Sequence, residues 1–206
     1  MKQYPSIDAT VRRGVLVYAF DKLDGSNIRA EWNKKKGFSK FGSRNQLIDE
    51  SEQTLGPSIP LIKQKYEKDL TEIFQKENLE KVTCFFEFFG PGSFAGYHPS
   101  EEPKDVVLFD IDVCKTGLIS PKEFISLTDQ KVQTAKLLYT GNVTDEFEKE
   151  VRGGTLEGMS FEGVICKTIP TKKFHGPTMF KIKNQAWYDK LHTKYENDPE
   201  VYEKLK

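Results

Sequence analysis

The chain has 206 residues, with 31 Lys plus Arg balanced by 31 Asp plus Glu and no formal net charge at pH 7. That length supports one large domain or two small ones with a sizeable core, and the balance excludes any argument from net charge for a polyanionic partner. No apolar run approaches the roughly 20 residues of a bilayer span, and the opening stretch MKQYPSIDATVRRG lacks an apolar signal core, so a soluble intracellular protein with no membrane partner is expected. The charges nevertheless segregate. Lys34, Lys35, Lys36, Lys40 and Arg44 form one basic group, Lys172, Lys173, Lys181, Lys183 and Lys190 another, and Asp145, Glu146, Glu148 and Glu150 gather between them. A neutral chain so arranged can carry one positive face.

With no repeat, low-complexity tract or long Pro/Gly/Ser linker, one domain over residues 1–206 is expected. Residues 14–32 predict a hairpin: Val15 to Tyr18 are β-formers, Asp24-Gly25 is a turn signal, and Ile28, Ala30 and Trp32 alternate beyond it. Lys22 would sit at the hairpin's end. NKKKG then turns into a third strand over FSKFGSR. Pro60 is expected to open a surface helix whose Leu61, Ile62, Tyr66, Leu70, Ile73 and Phe74 recur at helical spacing. VTCFFEFFG and DVVLFDIDV read as strands packed on both faces or lining a pocket, with GPGSFAG after the first as a loop. Ser120 and Glu123 around Pro121 predict a capping box, and Thr144 before Asp145 and Glu146 another helix start. SFEGVICKT and TMFKIKN read as strands, and the residues from Asn184 onward as helical. Strands come in bunches rather than alternating strictly with helices, which favours α+β with antiparallel sheets.

Lys22 becomes a nucleophile only if burial or nearby positive charge lowers an amine pKa of about 10.4. Lys181 and Lys183, two apart on a strand, point to one face and could supply that charge. Glu87, Asp110, Asp112 and Glu162 lie inside apolar strands, where a carboxylate is costly unless paired or bound to metal. Lysines with a few carboxylates suit a phosphate-handling site in which Mg²⁺ completes its shell with substrate oxygens. There is no G-x-x-x-x-G-K-[ST], no G-x-G-x-x-G and no Gly-x-Ser-x-Gly, so neither a glycine-rich phosphate cradle nor a serine nucleophile is expected. Cys84, Cys114 and Cys166 sit in or beside apolar runs at separations matching no zinc pattern, and read as small hydrophobes. His98, His175 and His192 are scattered.

In order, DKLDGSN, FGSRN, FFEFFG, VLFDID, FEGVICK and MFKIK resemble the motif series of the covalent nucleotidyltransferases, the superfamily of ATP-dependent DNA ligases, RNA ligases and mRNA capping enzymes. The motif spacing, FGSRN and FFEFFG are most similar to the RNA ligase 2 type and the editing ligases. The resemblance implies a nucleotidyltransferase (ATP-grasp-like) α+β domain with antiparallel sheets flanked by helices. An OB domain is not expected, because only 23 residues follow Lys183; residues 184–206 would be a helical extension. It also implies ATP-dependent polynucleotide ligation, with RNA favoured: a lysyl-AMP intermediate, AMP transfer to a 5′-phosphate, and sealing to a 3′-hydroxyl. ATP and Mg²⁺ would be the cofactors, with Mn²⁺ as a substitute, and a partner protein or separate C-terminal domain could complete the reaction.

By the same resemblance, Lys22 carries the AMP, with Asp24 and Gly25 completing its motif. Asp21, where many relatives have Glu, lies beside the adenine. Arg44 contacts the nucleotide and the polynucleotide end, Glu87 the ribose hydroxyls, and Phe109 stacks on adenine. Glu162, with Asp110, is metal-linked, and Lys181 and Lys183 grip the α-phosphate and keep Lys22 deprotonated. Lys40, Arg44, Lys172 and Lys173 would hold nucleic acid. The alternatives are an ATP-dependent DNA ligase, a GTP-using capping-type enzyme, or a non-catalytic nucleotide- or nucleic-acid-binding module of the same fold.

Overall fold

The computed structural model describes residues 1–93, 98, 100–129, 131–171 and 176–205. In chain order the strands are β1 (Leu16–Asp21), β2 (Ser26–Asn33), β3 (Gly37–Gly42), β4 (Leu47–Ile48), β5 (Lys81–Phe89), β6 (Asp105–Val113), β7 (Gly117–Leu118), β8 (Leu137–Asn142), β9 (Gly163–Lys167) and β10 (Met179–Lys183). The helices are α1 (Ser58–Lys76), α2 (Pro121–Thr128), α3 (Asp145–Gly153), α4 (Gln185–Lys194) and α5 (Pro199–Leu205). The strands form two antiparallel sheets, one of four strands in the order β10-β9-β1-β8 and one of six in the order β4-β3-β2-β5-β6-β7. The expected α+β class with antiparallel sheets flanked by helices is what forms, and the described residues after Lys183 are helical rather than an OB barrel.

The expected hairpin over residues 14–32 does not form. β1 pairs with β8 and β9, whereas β2 pairs with β3 and β5, so the two strands lie in different sheets. Alternation in the sequence identifies a strand and its buried face but carries no information about which neighbour it pairs with. Residues 22–25 are instead the crossover between the sheets. Gly25 is obligatory there, since a Cβ would lie 2.3 Å from the Phe88 carbonyl oxygen.

Helix α1 begins at Ser58, two residues before the expected Pro60, which falls in the first turn where a missing N–H costs little. Its Ile59, Ile62, Tyr66, Leu70, Ile73 and Phe74 are buried against one face of the six-stranded sheet, among Ile28, Ala30, Trp32, Val82, Phe86 and Leu108. Trp32 packs edge-on to Phe74 and donates its indole N–H to Thr71 at 3.0 Å, so the largest core side chain is also hydrogen-bonded. Each such side chain contributes about 1.5–3 kcal/mol of burial. The capping box at Ser120 and Glu123 and the Thr144 cap of α3 both form. Helix α3 covers the outer face of the four-stranded sheet, where Phe147 and Val151 meet Val17, Ala19, Val164, Phe180 and Ile182.

The N-terminal segment joins the two sheets a second time. Met1 and Lys2 lie against β2, and Asp8 reaches the edge of β10, where its carbonyl accepts from Lys181 N at 2.8 Å. Among the described residues no helix is long and apolar enough to cross a membrane.

Candidate active site

With α3 on one face of the four-stranded sheet and α1 on one face of the six-stranded sheet, the other two faces line a cleft of about 940 Å³. Strand alternation decides what enters it. From β10 come Lys181 and Lys183, in register with Ile165 and Gly163 of β9; from the other sheet come Asn27 of β2 and Glu87 of β5, which are direct partners. The crossover carries Lys22, Asp24 and Gly25 between these two sets.

Glu162 is the electrostatic centre. It is 5% exposed, and one carboxylate oxygen lies 2.6 Å from Lys22 Nζ while the other lies 3.1 Å from Lys183 Nζ. Next to it, Gly163 accepts from the Lys22 backbone N–H at 2.9 Å. Burial, the largest influence on Lys22, pulls its pKa down, but the carboxylates of Glu162, Glu87 and Asp24 outweigh it and the net shift is upward. The expectation that neighbouring cations keep Lys22 deprotonated is therefore corrected: without nucleotide the amine is an ammonium held in an ion pair. Lys183 goes the other way, down to about 8, because burial, with Lys22 and Lys181 adding, outweighs Glu162. Its Nζ sits 3.2 Å from the centre of the Trp187 ring on α4, a cation–π contact that covers the ammonium. Lys181 is lowered by burial and then by Lys22, with Arg44 adding.

Glu87 accepts the Gly25 N–H at 3.0 Å and so fixes the crossover. Burial, reinforced by the charges of Glu162 and Asp24, raises its pKa to about 8, leaving a largely protonated acid at neutral pH. Asp21 spends its Oδ1 on Ser160, accepting from the backbone N–H at 2.9 Å and the hydroxyl at 3.0 Å. It thus ties the segment before Glu162 to the end of β1.

Phe109 enters the cleft for a local reason. Across the β5–β6 ladder Phe86 pairs with Leu108 and Phe85 with Asp110, so Phe109 is the extra residue of a β-bulge. A bulge re-aims its side chain. The ring is backed by Tyr4, edge-on at 5.0 Å, and its carbonyl accepts from Lys167 Nζ at 2.9 Å.

Asp110, expected beside Glu162 at the metal, is held by protein donors. It is 1% exposed, one oxygen accepts from Tyr4 Oη at 2.7 Å and Lys167 Nζ at 2.8 Å, and the other accepts from the Ile111 N–H. Both oxygens are occupied by donors. Among the described residues no group of three or more His, Cys, Asp or Glu could hold a metal, so a cation would draw on isolated protein oxygens and on substrate, and Glu162 could offer an oxygen only by releasing Lys22 or Lys183. Asn27 fits that requirement: its Oδ1 is buried, without a hydrogen-bond partner, on a residue lining the cleft.

Arg44 is exposed at the cleft mouth and donates to Ser6 Oγ at 3.3 Å. Lys40 lies outside the cleft lining and faces Glu31 at 3.7 Å. Lys172, Lys173 and His175, and residues 94–96 of the GPGSFAG loop, lie outside the described residues. Cys84 and Cys166 are buried as expected, whereas Cys114 is exposed, just past the end of β6. Sequence reasoning missed Asn27, Lys167 and Tyr4. Asn27 and Lys167 end the stretches DKLDGSN and FEGVICK, but placing them beside Glu87 and Lys181 needs the cross-strand pairing that alternation does not give; Tyr4 carries no sequence signal.

Solved structures share this fold of two sheets joined by a lysine-bearing crossover. Naegleria gruberi RNA ligase with PPi aligns with a TM-score of 0.63 at 20% identity, covering 86% of this chain and 52% of that one. Two point mutants of the same ligase, both solved with ATP and Mn, align with TM-scores of 0.62 and 0.63 at 19% and 18% identity, covering 86% and 91% of this chain and 52% and 59% of theirs. At such identity the likeness is one of fold, and this chain spans little more than half the length of those proteins. No curated protein matches the sequence. A family model described as RNA ligase matches residues 16–183, and the chain belongs to the RNA ligase family.

Proposed function

We propose that residues 1–206 are a single adenylyltransferase/ligase catalytic domain, with residues 184–206 as its helical extension, that joins RNA ends at the expense of ATP through a lysyl-AMP intermediate. The observation that carries this reading is the sharing of one buried carboxylate, Glu162, between Lys22 and Lys183 at the crossover of the two sheets. Lys22 Nζ would attack the α-phosphorus of ATP, forming a P–N bond as the bond to the pyrophosphate oxygen breaks. Before that, its ion pair with Glu162 must open and its extra proton must leave. Lys181 and Lys183 would neutralise the equatorial oxygens of the transferring phosphoryl. Phe109 would stack on the adenine, and Glu87, protonated, could donate a hydrogen bond to a ribose oxygen.

Glu162 and Asn27 are the residues that would hold a divalent cation, Mg²⁺ or Mn²⁺; when bound, the cation would offset the negative charge gathering on the phosphates. The related ligase was solved with ATP and Mn and with AMP and Mn, which supports this cofactor set. AMP would then pass to a 5′-phosphate, and a 3′-hydroxyl would displace it.

The test is incubation with α-labelled ATP and Mg²⁺. The intact protein should become labelled, Lys22→Ala should not, and the purified adenylylated protein should transfer its label to 5′-phosphorylated RNA. An unlabelled wild type would overturn the reading. Preference for nicked duplexes with DNA at the 3′-hydroxyl side would turn it into a DNA ligase.

A further inference from the structure

Arg29 has no part in the chemistry just described, yet its surroundings are unusual. It projects from β2 on the same side as Asn27 and is only 3% exposed. Its guanidinium is held by backbone carbonyls from two separate segments. Nε donates to Ser43 O at 2.6 Å and Nη2 to Gln46 O at 3.5 Å, while Nη1 donates to Met1 O at 3.3 Å and Lys2 O at 3.2 Å. Burying a guanidinium among neutral carbonyls is costly in itself, and a nonpolar side chain would fill the same space more cheaply. What Arg29 gains is a planar fork that binds several acceptors at fixed angles.

The two segments it binds both run into the lining of the cleft. Tyr4, Pro5, Ser6 and Ile7 of the lining come just after Lys2, and on the other side Ser43 itself lines the cleft with Arg44 and Asn45, which lie between the Ser43 and Gln46 carbonyls. The segments meet where Arg44 donates to Ser6. Arg44 is otherwise an exposed side chain on a short loop, close enough to Lys181 for its charge to depress that amine. The path between strands is kept open by Gly42, the register partner of Arg29 on β3. A Cβ there would stand 3.1 Å from Arg29 Nη2 and 2.7 Å from Gln46 O.

We propose that Arg29 is a positioning residue: by tying the N-terminal segment and the 43–46 loop into one wall, it holds Arg44 at the Lys181 side of the cleft. This rests on the reading of the cleft as an ATP site. Arg29 acts through Arg44, so the loss of either should cost the same thing.

The experiment compares wild type, Arg29→Lys, Arg44→Ala and the double variant, measuring lysyl-AMP formation across ATP concentrations and amide hydrogen exchange. Lysine keeps the charge but cannot reach both segments. Arg29→Lys should raise the KM for ATP about tenfold, as losing a charge-assisted contact would, with a smaller change in kcat. The double variant should be no worse than Arg44→Ala alone. Amides of residues 1–8 and 43–46 should exchange faster in Arg29→Lys while those of β5 keep wild-type protection. If Arg29→Lys fails to fold, Gly42→Ala perturbs the same clamp from β3 and should give the same pattern. Multiplying losses in the double variant, or unchanged protection of both segments, would overturn the proposal. An unlabelled wild type would instead sink the ATP-site reading, and the exchange data would still decide whether Arg29 holds the wall.

Discussion

Lys22 and Lys183 are bound to opposite oxygens of the same carboxylate, Glu162, at 2.6 and 3.1 Å, yet their pKa values are displaced in opposite directions. The difference is one of company. Lys22 has the acidic groups Glu162, Glu87 and Asp24 around it, whereas Lys183 has Glu162 together with the two cations Lys22 and Lys181. Removing the shared carboxylate should therefore act most on Lys22, because burial then dominates. We expect Glu162→Gln to lower the Lys22 pKa, so that the amine reacts at lower pH with an acylating reagent, read by peptide mass spectrometry. The same variant should lose self-labelling with ATP by about a hundredfold or more, since a preorganised charge at the reacting phosphoryl is gone. A Lys22 reactivity profile that stays put or moves upward would contradict this account.

Glu87 should trade stability against function. Its folded pKa of about 8 lies above the ordinary carboxyl value of 4.5. Well below 4.5 both states are protonated and nothing is lost; between 4.5 and 8 only the unfolded chain ionises, so the native state loses ground as pH rises. Glu87→Gln removes that loss. Its stabilisation should be negligible near pH 4 and grow to about 1 kcal/mol or more by pH 8, a rise in Tm of roughly 2–4 °C for a domain of this size. Thermal melts at both pH values check this, and equal shifts at the two would rule it out.

Phe109 is aimed by a bulge and backed by Tyr4. Phe109→Ala should weaken ATP binding by about 1–3 kcal/mol, the worth of one base–aromatic stack, while Phe109→Tyr should retain most of it. Calorimetric titration of ATP into the Lys22→Ala background measures binding without turnover. An alanine variant binding as tightly as its parent would remove Phe109 from the nucleotide site.

Gly163 has φ +134°, and a Cβ there would lie 2.1 Å from Ile182 O. Gly163→Ala should therefore pry β9 from β10 at the point where Lys22 is anchored. We expect a destabilisation above about 3 kcal/mol, among the largest single-site effects, seen as a lowered urea midpoint. A midpoint within experimental error of wild type would show that the strands can part without cost.

The sequence made some of this legible and not the rest, for definable reasons. Ser120 and Thr144 announced their helices because capping is local, involving residues three apart. Lys181 and Lys183 were in phase because strand alternation is local too. The pairing of β1 was not legible: Val15 to Tyr18 state a preference for extended structure, but β8 and β9 come more than a hundred residues later. β8 itself escaped notice because an exposed edge strand, LLYTGN, needs no strong apolar alternation. The Lys22 ion pair was similarly hidden, since whether a lysine meets cations or carboxylates first depends on distances that motif order does not contain. Asp110 shows the converse. Its burial was readable from LFDID, but its partners Tyr4 and Lys167 lie 106 and 57 residues away.

Because residues 22–25 pass from one sheet to the other, neither sheet owns the site. The four-stranded sheet and the segment leading into it bring Glu162, Lys181 and Lys183, and the six-stranded sheet brings Asn27, Glu87 and Phe109. A chain severed at a surface turn far from the crossover, such as the exposed β2–β3 turn, could regain reactivity only by reassembling both halves. Labelling of Lys22 would then serve as a covalent record of complementation, scoring each molecule in which the piece carrying β1 and β2 had rejoined the remaining strands of both sheets.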